Sequence, residues 1–136
     1  INFVSCPTES IHLQGRFDTF PKRRGVTRVA ELDRAGMNVC LGQDSIKDPW
    51  YPLGNGNILR VLDAGLHICH MLGYEDLQRA LDFVTDHSAQ AMALGDGYGL
   101  AVGRPANLVL LSAENKRQLW VPDGFAHGFF SGISLC

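Results

Sequence analysis

The sequence predicts an α/β fold, and three observations carry that expectation. The apolar run Ile1-Asn-Phe-Val-Ser-Cys6 reads as a strand, Arg28 to Ala35 repeats apolar residues at helical spacing, and Met37 to Leu41 is a second short apolar run that breaks at Gly42. Strand, helix, strand in that order is a parallel βαβ unit, because parallel neighbours need a crossover connection.

In chain order, the first strand stops at Pro7, and turn formers and charge from there to Gly25 predict a long rim loop. Thr27 is placed to cap a helix with Val29, Leu32 and Ala35 on one face, ended by Gly36. The second strand follows, so Asp44 falls where a parallel strand ends and its loop begins, the place where α/β folds keep their chemistry. From Asn57, the positions Ile58, Leu59, Leu62, Leu66, Ile68, Cys69 and Leu72 predict one helix with a broad buried face, closed by Gly73. Tyr74 opens a further helical stretch with Leu77, Ala80, Leu81 and Val84 inward, and the small residues of Ser88 to Leu94 predict another short helix. Gly99 to Leu111 turns and re-enters a strand.

A chain of 136 residues with 46% hydrophobic and 19% charged content can bury one real core. With 12 basic against 14 acidic residues there is no electrostatic footprint for nucleic acid or an anionic membrane. The one basic run, Lys22-Arg23-Arg24, reads as a solvated turn. Cys6, Cys40, Cys69 and Cys136 form no C-x-x-C pair, so they read as small hydrophobes in a reducing cytosol rather than as a zinc knuckle or disulfide framework. No signal peptide or apolar stretch of about 20 residues is present, which makes the cytoplasm the default location. The first residue, Ile1, falls on a strand-like run, so the sequence is expected to begin inside a domain.

The order Gly42-Gln-Asp-Ser-Ile-Lys-Asp-Pro-Trp-Tyr-Pro-Leu-Gly54, preceded by Ile11-His-Leu-Gln-Gly-Arg-Phe-Asp-Thr-Phe-Pro-Lys-Arg-Arg-Gly25, resembles the last part of cytosine deaminases of the amidohydrolase superfamily. The resemblance covers about residues 2–115. It implies the C-terminal part of a metal-dependent (β/α)8 barrel, its last two strands and helices, over 1–98, and a return strand of the small β-sandwich over 99–115. Asn107 stands where many relatives carry Asp. The tail, 116–136, departs from that pattern: Gln118 to Phe129 resembles dTDP-4-dehydrorhamnose 3,5-epimerases, the two families meet near Ser112 to Asn115, and the last residues match neither. A gene fusion, a frameshift and an uncertain sequence assignment are the alternatives for its origin.

Hydrolytic removal of an exocyclic amine needs an activated water and a proton shuttle, which a divalent metal with an adjacent carboxylate provides. By residue type alone Asp44 reads equally as a turn aspartate. The resemblance implies that it is both the catalytic acid-base group and a metal ligand, at the end of the eighth barrel strand. It also implies that Trp50, held by Asp48-Pro49, walls the substrate pocket, although a rim Trp is about as often packing. Ser45 stands where some cytosine deaminases carry a second aspartate that meets the base edge, so a substituted or bulkier base is open as substrate. Gln43 is expected behind these groups.

The histidines give no metal site. The family takes a His-x-His pair and two further histidines from earlier strands, and none of those segments is present. His67 and His70, three apart on a helix, read as core or polar-face packing, His12 and His87 lack ligand spacing, and His127 resembles an epimerase histidine without its partners.

The leading expectation is therefore part of an aminohydrolase acting on the C–N bond of a cyclic amidine such as cytosine, with iron or zinc in the parent enzyme. The isolated chain is expected to bind no metal and to be silent. A nucleobase is the expected partner, homo-oligomers are implied by the family, and neither nucleic acid nor membrane is expected. The alternatives are a non-catalytic remnant serving as an interaction or assembly module, because two barrel strands expose pairing edges, and an epimerase fragment.

Overall fold

Asn2–Ser5 (β1) and Asn38–Leu41 (β2) pair in parallel, from Asn2 opposite Asn38 to Ser5 opposite Leu41. The computed structural model describes residues 1–111 and 113, together with the backbone strand Ile133–Leu135. The connection between β1 and β2 passes through two helices, Pro7–Leu13 (α1) and Val29–Arg34 (α2), where the sequence suggested one. The rim loop expected from Pro7 is thus helical in its first part. Pro7 sits at the start of α1, where its missing N–H is not needed and its fixed φ suits a helix, and Glu9 places negative charge in the first turn. Lys22, Arg23 and Arg24 lie exposed in the remaining loop; Asp18 accepts from Arg23 at 2.7 and 2.8 Å.

Thr27 does not cap α2. The cap position is Arg28, without a side-chain bond, and Thr27 contributes its backbone carbonyl to the Val29 amide instead. Gly36 ends the helix as expected, with φ +74°: its N–H bonds to Asp33 and that of Met37 to Leu32, a Schellman arrangement.

Asn57 caps Ile58–Ile68 (α3), its side-chain oxygen accepting from Leu59 and Arg60. This helix stops at Ile68 rather than running to Gly73. His70 takes the left-handed conformation, φ +56°, so that its N–H meets His67 O and that of Met71 meets Leu66 O. The apolar spacing continued past this point because Met71 turns back into the core, 3% exposed. Gly73 begins the next helix, Tyr74–Arg79 (α4), with Asp76 accepting its N–H. A 3₁₀ turn over Ala80–Val84 and the helix Asp86–Ala91 (α5) follow.

The core lies between β2, α2 and α3, built from Val29, Val39, Leu41, Val61, Leu62, Leu66, Met71, Ala80 and Phe83. β2 is buried in its last three residues, as expected for a strand covered on both sides. His87 holds α5 to this strand: its Nδ1 donates to Val39 O at 2.8 Å and its ring meets Phe83 edge-on. Val109–Leu111 (β3) and Ile133–Leu135 (β4) form a separate antiparallel pair. Among the described residues no helix is long and apolar enough to cross a membrane. Gln118 to Phe129, His127 and Cys136 lie outside the described residues.

Candidate functional site

Parallel strands end on the same side, so β1 and β2 deliver Cys6 and Gly42 to one rim, and the Gly42 amide closes it by bonding to Ser5 O at 2.9 Å. Asp44 is exposed on this rim and has φ +66°. That left-handed conformation is uncommon for a side-chain-bearing residue, though Asp tolerates it better than most.

Ser45 turns inward. It is 6% exposed, and its amide and hydroxyl donate to the two oxygens of Glu9 at 3.0 and 2.9 Å. Glu9 comes from the first turn of α1 and is itself 5% exposed. Gln43 is half-buried, and its amide nitrogen donates to Thr8 Oγ1 at 3.4 Å. Trp50 stands 62% exposed on the same loop. Asp48 fixes its backbone by accepting the N–H groups of Trp50 and Tyr51, each at 3.0 Å, and the Tyr51 amide above all holds the Asp48 carboxyl below its usual range. The Tyr51 ring lies 5.6 Å from that of His12, a second tie between α1 and this loop.

The structure thus brings Asp44, Ser45 and Trp50 to one loop, with Asp44 and Trp50 open to solvent and Ser45 covered. Glu9 and Cys6 were missed. Burial, then Asp44 and Glu9, raise the Cys6 thiol, which makes it a poor nucleophile. Glu9 was hidden by the expectation of a loop. Pro7-Thr8-Glu9, proline followed two residues on by an acid, was the available signal for a helix start.

His67 and His70 are exposed, and His67 Nδ1 lies 3.6 Å from Asp63. Among the described residues no group of three or more His, Cys, Asp or Glu converges as a metal would require. Asp44 is a single exposed carboxylate, so these residues do not fit a complete metal site.

A model of the amidohydrolase family matches residues 1–121. The crystal structure of 5-methylcytosine deaminase from Klebsiella pneumoniae liganded with phosphonocytosine matches with a TM-score of 0.82 and 81% identity, over 88% of this chain and 29% of that one. The pterin deaminase of Rhizobium rhizogenes is 34% identical over 115 residues, 84% of this chain and 26% of its own length. The dTDP-4-dehydrorhamnose 3,5-epimerase of Shigella flexneri is 86% identical over 21 residues, 15% of this chain and 12% of its own length. The chain spans less than a third of either deaminase.

Proposed function

Because the chain belongs to the amidohydrolase family and carries a portion of its (β/α)8 fold, we propose that it is the part of a hydrolytic deaminase that supplies the rim acid at the end of a barrel strand, with a cytosine-type base as substrate. The observation that carries this reading is the placement of Asp44: an exposed carboxylate in the loop that follows a buried parallel strand, held in a left-handed backbone conformation. The 81% identity to a 5-methylcytosine deaminase supports the substrate class.

In this reading a water adds to the ring carbon that bears the amine, Asp44 takes one proton from that water and it ends on the neighbouring ring nitrogen, and the remaining hydroxyl proton passes to the amine, which leaves as ammonia as its C–N bond breaks and the carbonyl forms. Asp44 would also be one of the residues that hold the family's divalent metal, iron or zinc, which would supply the activation of that water. Trp50 walls the base. Ser45 is 6% exposed with its hydroxyl against Glu9, so its part in substrate choice is that of a small, uncharged group beneath the pocket, where an aspartate would bring bulk and charge. We assign residues 1–98 to the barrel and 99–115 to the return strand of the β-sandwich, and place the whole enzyme in the cytoplasm as a homo-oligomer without nucleic-acid or membrane partners.

The test is Asp44→Asn in a deaminase that contains this segment. Loss of ammonia release with retained fold is expected, and near-normal turnover overturns the assignment.

A further inference from the structure

Glu9 has no part in the proposed chemistry, yet it is a buried carboxylate placed one residue away from the rim acid. We propose that Glu9 is a positioning residue that sets the direction of Asp44 by clamping the Ser45 peptide; this rests on the reading of Asp44 as the rim acid. The Ser45 N–H belongs to the peptide plane that follows Asp44. Fixing that N–H on Glu9 Oε2 at 3.0 Å fixes the ψ of Asp44, and with it the direction of the side chain. The second oxygen, Oε1, takes the Ser45 hydroxyl at 2.9 Å. On the other side the Ser45 carbonyl lies so close to Gly54 that a Cβ there would sit 2.0 Å away. The turn is therefore held on both sides. An uncommon backbone conformation such as φ +66° at Asp44 persists only where its surroundings over-determine it.

The clamp needs an oxygen acceptor at the end of this side chain. Methionine has about the length of glutamate but brings no oxygen to the Ser45 amide, whereas glutamine keeps one, and the Ser45 hydroxyl can turn to accept its NH₂. A residue that only filled space would tolerate methionine.

The test is residue-resolved amide hydrogen exchange on the 136-residue chain. Glu9→Met is expected to speed exchange at positions 45 to 47 by roughly 10-fold or more, while the core amides of Val39 and Leu62 keep their rates. Glu9→Gln, which retains an oxygen for the amide at position 45, is expected to keep most of that protection. Unchanged exchange in Glu9→Met overturns the clamp, as does uniform acceleration that includes Val39 and Leu62, or exchange in Glu9→Gln as fast as in Glu9→Met. The readout is independent of turnover, so unchanged exchange in Glu9→Met refutes the clamp even where Asp44→Asn abolishes deamination.

Discussion

Gly54→Ala isolates the close approach on which the rim turn depends. A Cβ built at this position falls 2.0 Å from the Ser45 carbonyl oxygen and 3.0 Å from its carbon. Contacts between heavy atoms are comfortable near about 3.5 Å, so the two backbones must separate by about 1.5 Å. That movement breaks the bond from Lys47 N–H to Gly54 O, 3.0 Å long, and strains the pair that Ser45 donates to Glu9. One neutral bond and one bond to a carboxylate together make about 3 kcal/mol, which lowers Tm by on the order of 10 °C in a domain of this size. The control is Gly25→Ala, whose Cβ meets nothing closer than Gln14 Cγ at 3.6 Å. It is expected within about 0.5 kcal/mol of the parent chain. Urea denaturation read by far-ultraviolet circular dichroism measures both. If Gly54→Ala is as stable as Gly25→Ala, the turn is not packed against Ser45 as described.

Asp44→Asn in an active deaminase containing this segment is expected to cut turnover by ~10²-fold to 10⁴-fold through loss of the base alone, checked by ammonia release. Ser45→Asp, combined with Glu9→Gln so that two buried carboxylates do not meet across the present 2.9 Å bond, is expected to shift kcat/KM toward unsubstituted cytosine over larger bases by ~1 to 3 kcal/mol; equal ratios across a panel of substituted bases would remove this position from substrate choice. Asp48 ionises more readily folded than unfolded, so its contribution is present above the ordinary carboxylate range and is lost as pH falls through the lowered folded value. Trp50 fluorescence in a Trp120→Phe background should accordingly hold steady down to acid and change only below the ordinary Asp range of ~4, and Asp48→Asn should abolish that transition.

The strands and the rim were legible in the sequence because their signals are local. Val39 to Leu41 is apolar without interruption and the segment is bounded by Gly36 and Gly42, which favours burial on both faces, and a parallel strand of that kind leaves Asp44 in the loop at its end. Gly36 and Asn57 likewise marked the end of one helix and the start of another, since left-handed φ and side-chain capping are properties of the residues themselves. Other features belong to the tertiary structure. The third helix stops at Ile68 because Met71 finds the core by turning back through a left-handed His70, an outcome set by what Met71 packs against and invisible to periodicity. Pro7 to Leu13 is a helix because it packs on α3 and buries Glu9, whereas its composition reads equally well as a loop. Above all, nothing in the sequence joins Glu9 to Ser45, 36 residues apart. Only the parallel pairing of β1 with β2 brings the helix after one strand against the turn after the other, and that proximity turns an ordinary glutamate into the clamp beside the rim acid.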